Sequence, residues 1–391
     1  MAIKWLLMSS RQSARVFMGV TLLLFTAGWA ANHFASALVI IRDQQGVSSL
    51  LVNAAFGIYA IGMLPCLLLG GVFADRFGPR FIVLTGGIIS ALGNLLMLFV
   101  HEGAWLLAGR FIVGIGVGLV VSAGTAWAGH VRGASGVTLA GIILTLGFAV
   151  GPIATSLIGA STANIALLFA VSVAFSAIAV VAGLVLGDAP RAPIQGTSGN
   201  SPSQDRSLGK ALAVSLPMAL WVFSCITTSV VILSARAAGH IDIPILLPAL
   251  SSGLAFGSGL VMQYLGRKFS WGRKSGTAGA ISAALGFAVA AFGGNDLTVT
   301  QFILAALLLG SAYGLCLREG LVGINTYVPL AKHGTGIGIY YVFTYFGFAF
   351  PFIFEVLDPF VGVSAPLVFI ALLAVISAVL RAVQIRRGYL V

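Results

Sequence analysis

The sequence predicts an all-α integral membrane protein, with twelve transmembrane helices arranged as two pseudo-symmetric six-helix bundles. Three observations predict it. Hydrophobic residues make up 59% of the 391-residue chain and charged residues only 8%, against about 25% charged in an ordinary soluble domain. The mean hydropathy is +1.06. The apolar residues fall in continuous runs, and a bilayer core about 30 Å thick needs roughly 20 helical residues to cross it. The runs do not alternate as barrel strands would. A soluble globule, a disordered chain and a disulfide-rich secreted module are excluded by the same arithmetic. The net charge of +11 does not mark a nucleic-acid binder, because the cations sit between the apolar runs and orient the chain in a membrane. Cys66, Cys225 and Cys316 lie inside apolar runs, odd in number and widely spaced, so they form no disulfide framework and no metal site.

Taken in order, the spans are Val16–Ile41, Leu50–Ala74, Phe81–Val100, Ala104–Trp127, Gly136–Ile158, Ala163–Leu186, Ala211–Ala235, Ile243–Leu265, Gly276–Gly293, Leu297–Asn325, Gly336–Leu357 and Ala365–Val383. The first is too long for a signal-peptide core and eleven more follow, so Ala35-Ser36-Ala37 is not a cleavage site. With the N-terminus inside, inner segments hold seventeen of the 21 basic residues, from Lys4, Arg11 and Arg15 to Arg381, Arg386 and Arg387. Only Arg42 and Arg236 lie outside, and Arg110 and Arg318 fall within spans. Both basic termini then face the cytoplasm, which demands an even number of spans in a cell's inner (plasma) membrane.

The one long polar stretch, Asp188 to Lys210, is rich in Ser, Pro, Gly and Gln and reads as a flexible cytoplasmic linker. It separates an N-terminal six-helix bundle, residues 1–187, from a C-terminal one, residues 211–391, with the linker spanning 188–210. The halves share local sequence. Gly114 and Gly118 in span four match Gly310 and Gly314 in span ten, and Gly147-Phe148-Ala149 matches Gly347-Phe348-Ala349. Gly71 to Arg80 after span two matches Gly259 to Lys268 after span eight, with Gln263 in place of Asp75. Their shared order implies an internal duplication. Two six-helix halves related by an axis along the membrane normal are one architecture of secondary transporters.

Gly71-Val-Phe-Ala-Asp75-Arg76-Phe-Gly78-Pro-Arg80 is the most specific segment. Its glycines allow a tight turn between two helices. Arg76 and Arg80 are explained by orientation alone. Asp75, an acid in a basic segment, calls for a partner such as a helix N-terminus or an arginine. The segment resembles the inner-loop signature of the major facilitator superfamily, and the resemblance extends over essentially the whole chain. It implies that Asp75 and the arginines latch the two halves together on the inner side, with Asp75 near Gly334 to Gly336. Because Gln263 replaces the acid in the second copy, the latch should be one-sided.

Arg110 lies inside span four, in Leu107-Ala-Gly-Arg110-Phe-Ile-Val113-Gly114-Ile-Gly116-Val-Gly118. A guanidinium there must be paired or face water, or else snorkel to the outer headgroups. The run resembles the family's span-four signature, which implies a link to proton coupling, although Val113 stands where glutamine is usual. Gly147-x-x-x-Gly151-Pro152 in span five is a small-residue face with a proline kink. It resembles the family's antiporter signature, with Thr155 and Ser156 in place of a terminal glycine pair. Among ten acids, Glu319 is the one deep within a span, beside Arg318. It is a proton-carrier candidate unless span ten ends near Leu317 and both residues are interfacial. Asn32 and His33 form a second polar pair in span one. The resemblance places them toward a central cavity, while a structural hydrogen bond between helices explains them equally well. Tyr340, Tyr341 and Tyr345 in span eleven are candidate cavity aromatics, though lipid-facing packing explains at least one.

The resemblance therefore implies a bacterial-type transporter working by alternating access of two halves, in the lipid bilayer and as a monomer. The expected activity is proton-coupled antiport that exports a small amphiphilic or drug-like molecule. Uptake of a small metabolite or organic anion by symport with protons is the alternative, favoured if His33, Arg110 and Arg318 hold an anion. A non-transporting membrane sensor or scaffold is a third class. The five histidines are scattered and no nucleophile–base pair occurs, so no enzyme, metal or cofactor is expected. No nucleotide-binding signature and no nucleic-acid partner is expected either.

Overall fold

The computed structural model describes residues 2–100, 103–162, 164–186, 207–329 and 333–390. These are almost entirely helical, with no strand among the described residues. Twelve helices are long and apolar enough to cross a membrane: α1 Gln12–Gln45, α2 Ser49–Phe77, α3 Pro79–Phe99, α4 Gly103–Gly133, α5 Ser135–Thr162, α6 Ile165–Val185, α7 Leu208–Arg236, α8 Pro244–Lys268, α9 Lys274–Gly293, α10 Val299–Tyr327, α11 Gly336–Val361 and α12 Ser364–Arg386. Among the departures from the apolar runs, α4 continues past Trp127 to Gly133. There a backbone φ of +62° turns the chain into α5, a conformation that glycine adopts without strain. Residues 188–206 of the predicted linker lie outside the described residues. Ser207 closes its far end by accepting the amide of Lys210 at 3.0 Å as the cap of α7.

Contacts divide the chain into two compact units. The first contains Met1–Ala37 and Ile58–Ser201, the second Leu38–Gly57 and Pro202–Val391. The stretch Leu38–Gly57 is tied to the second unit through Asn53, whose amide donates to Glu355 at 3.1 Å.

Within each unit the same packing recurs. A Cβ on Gly114 would strike the carbonyl oxygen of Tyr59, and one on Gly118 that of Met63, so α4 meets α2 backbone to backbone. In the second unit Gly310 and Gly314 of α10 meet the carbonyls of Ala255 and Gly259 of α8 in the same way. All four correspondences share one offset, 196 positions: 114 to 310, 118 to 314, 59 to 255 and 63 to 259. The duplication is therefore present as equivalent contacts. It also corrects one register. Gly259 is the counterpart of Met63, not of Gly71. The helix after the turn starts at Pro79 in one unit and Lys274 in the other, so Arg273-Lys274 takes the place of Gly78-Pro79. Gln263 is not the structural equivalent of Asp75.

Prolines explain a second set of seams. A proline cannot donate to the carbonyl four residues back, and in hydrocarbon that freed oxygen needs another partner. Pro152 frees Phe148 O in α5, and Asn32 Nδ2 of α1 donates to it at 3.0 Å. Pro351 frees Gly347 O in α11, and the Thr227 hydroxyl of α7 lies 2.8 Å from it, and 2.9 Å from Phe223 O of its own helix. Pro217 frees Ala213 O in α7, and Gln384 Nε2 of α12 donates to it at 3.0 Å. The backbone of α11 tightens to a 3-10 turn over Phe346–Ala349 just before its proline.

Candidate functional site

The glycine-bounded turn is built as its residues dictate. Gly78 adopts φ +90° and caps α3, with Pro79 at the first helical position. Arg80 Nη2 donates to Leu184 O at 2.8 Å, near the C-terminus of α6, where a cation also meets the negative end of the helix dipole. Arg76 lies over the Phe77 ring at 5.4 Å. Gly71 faces Ser122 of α4. Asp75 is exposed, with no hydrogen bond or ion pair among the described residues of its unit. Its expected place near Gly334 to Gly336 falls partly on residues, 334 and 335, whose side chains lie outside those described.

Arg110 is fully buried in the first unit, so it does not snorkel. Its Nη2 donates to Ala31 O at 3.1 Å and its Nη1 to Ala30 O at 3.4 Å. The guanidinium also lies 4.5 Å from the ring centres of Phe34 and Tyr59. Carbonyl dipoles and ring quadrupoles thus stabilise the cation away from water. The carbonyls come from α1 where its helix is interrupted at His33.

His33 is fully enclosed too. Its Nε2 pairs with Asn94 Oδ1 of α3 at 2.9 Å, and its ring meets Phe169 of α6 edge-on at 5.6 Å. The ring therefore points into helix packing, and the structural hydrogen bond is the reading this geometry carries. Asn32, expected toward a cavity, instead satisfies the carbonyl freed by Pro152. The same α1–α5 seam joins Ser36 to Pro152 O at 2.8 Å and to Ser156 at 2.9 Å. Gly147 and Gly151 bring α5 against the backbone of α1 at Phe25, Trp29 and His33.

In the second unit, α10 runs to Tyr327, so Glu319 lies within a continuous helix that does not end near Leu317. Its side chain is 7% exposed and forms an ion pair with Arg381 Nη2 of α12 at 2.5 Å. Ser275 of α9 donates to its other oxygen at 2.7 Å. Arg318 stands 3.8 Å away and donates mainly outward, to Trp271 O in the α8–α9 turn at 3.1 Å. Arg381, whose side chain is only 1% exposed, also donates to Val214 O at 3.1 Å. It turns inward as the partner of Glu319. The signal was an arginine inside an apolar run, the same signal that marked Arg110.

Tyr340 and Tyr345 are core residues. The hydroxyl of Tyr340 donates to Cys316 O at 3.2 Å, and Tyr345 stacks on Phe223 at 4.4 Å. Both are fully buried, while Tyr341 is half-buried.

A family model of the Major Facilitator Superfamily matches residues 20–352. The chain belongs to the Major Facilitator Superfamily. This superfamily member is an integral multi-pass membrane transporter of a small-molecule substrate, and not an enzyme. It is similar to the multidrug resistance protein MdtL of Klebsiella pneumoniae (strain 342), at 33% identity over 96 residues, 25% of this chain and 24% of that protein. MdtL of Salmonella typhi is 31% identical over 96 residues, with the same shares. The match thus spans about a quarter of the length of these curated relatives. Solved structures share the fold over nearly the whole chain. A POT family transporter in complex with 5-aminolevulinic acid aligns with TM-score 0.74 at 13% identity, covering 95% of this chain and 96% of that one. The xylose transporter XylE from E. coli aligns with TM-score 0.68 at 14% identity, covering 95% and 96%.

Proposed function

We propose that this superfamily member is a proton-coupled antiporter that exports a small amphiphilic or drug-like molecule by alternating access. It works as a monomer in the inner membrane, with both termini cytoplasmic. The observation that carries the reading is the α1–α5 seam, where Gly147, Gly151 and Pro152 stand as in the family's antiporter signature and meet the backbone of α1. The stretch resembling MdtL supports the same direction of transport.

Glu319 carries the coupled proton. Ionised, it compensates Arg381 inside the second unit. Protonated, it leaves Arg381 with Val214 O and the Gln384 side-chain oxygen as acceptors among the described residues. A buried cation without its counter-ion is costly, so protonation disfavours the packing of α10 on α12. Asp75, exposed at the end of α2, serves as the carboxylate of a one-sided latch, with Arg76 and Arg80 beside it.

The test uses purified protein in proteoliposomes holding a luminal pH dye. Cationic drugs, sugars and organic anions are added outside one at a time, with no gradient imposed. Antiport predicts luminal alkalinisation when a cationic amphiphile enters. Acidification with an anion or sugar would identify symport instead. Entry of a labelled compound with no pH change would remove proton coupling.

A further inference from the structure

A groove of about 370 Å³ runs between α9 and α12, lined by Thr277, Ile281, Leu285, Val375, Ala378 and Ala382 among others. Alanines form its floor. Ile281, Leu285 and Val375 form the walls, each about half exposed at 48%, 52% and 48%, on a helix surface apolar enough to face lipid. Its polar end is defined by sequence position. Thr277 stands one helical turn from Lys274, the first residue of α9, and Ala382 one turn from Arg386, the last of α12. Arg273 and Arg387 flank them, and all four cations are exposed. No acid occurs in residues 266–276 or 384–390, and Glu319 is already paired with Arg381.

We propose that this groove binds an anionic glycerophospholipid. One acyl chain fills the channel over Ala378 and Ala382. The phosphate sits between Lys274 and Arg386, with Arg273 and Arg387 around it. An apolar channel opening on uncompensated cations suits a phospholipid bearing net negative charge, because each nearby cation adds attraction that a zwitterionic headgroup lacks.

The experiment titrates the full-length protein in detergent with phosphatidylglycerol and, separately, phosphatidylcholine of the same chains, counting bound lipid by native mass spectrometry. Phosphatidylglycerol should bind at lower concentration. The double variant Lys274→Gln, Arg386→Gln alters only exposed positions, and should bind it about 30-fold more weakly, close to phosphatidylcholine. Ala382→Phe should weaken both lipids by filling the channel, with an unchanged melting temperature confirming the fold. Wild-type affinity in the double variant would overturn the headgroup assignment. Displacement of bound phosphatidylglycerol by millimolar inorganic phosphate alone would overturn the role of the groove.

Discussion

Glu319 and Arg381 are tolerated in the interior of the second unit because each compensates the other. Removing one partner strands a buried charge, which costs about 3–5 kcal/mol. Glu319→Ala and Arg381→Ala should therefore each lower the melting temperature strongly. The double variant Glu319→Leu, Arg381→Met should recover most of the loss, because replacing a buried pair by apolar groups of similar volume is often nearly neutral. Equal and additive losses would show that the two side chains act separately. Glu319 was legible in the sequence because ten acids can be inspected one by one. Arg381 was not, because a cation near the end of an apolar run looks the same whether it reaches the headgroups or turns inward. Helix rotation decides between these, and rotation is set by packing against α7 and α9. His33, open in the sequence between a cavity and a hydrogen bond across helices, and the candidates Tyr340 and Tyr345 depend on rotation in the same way.

At the scale of the helix, the spans were legible because length and hydropathy alone determine which segments can cross a bilayer. The glycines of α4 and α10 were legible as a repeated pattern, and their backbone contacts explain why no larger residue fits. The partners of the prolines were not legible. A proline announces a freed carbonyl, but only the tertiary arrangement places Asn32, Thr227 and Gln384 opposite one. Asn32→Leu should leave Phe148 O unsatisfied and cost about 1–3 kcal/mol. In a Pro152→Ala background the amide returns to that carbonyl, so the same substitution should cost much less. Thermal unfolding of the four proteins in one detergent measures this coupling. An equal cost of Asn32→Leu in both backgrounds would show that Asn32 acts by some contact other than the freed carbonyl.

At the scale of the molecule, the two units repeat one packing scheme but differ in their buried charges. Arg110 on α4 corresponds by the 196-residue offset to Ala306 on α10, and Glu319 on α10 corresponds to Ala123 on α4. The duplication accounts for the glycine seams and not for these charges, so the charges are where the transport chemistry is to be sought. Glu319→Gln removes the titrating group while keeping an amide whose oxygen accepts from Arg381 and whose Nε2 can donate to the Ser275 hydroxyl oxygen. The decisive measurement compares this variant with the wild type in proteoliposomes, reading substrate exchange at equal pH and substrate accumulation driven by a pH gradient. Proton-coupled antiport through Glu319 predicts that exchange persists and gradient-driven accumulation is lost. Gradient-driven accumulation at the wild-type rate in Glu319→Gln would contradict it.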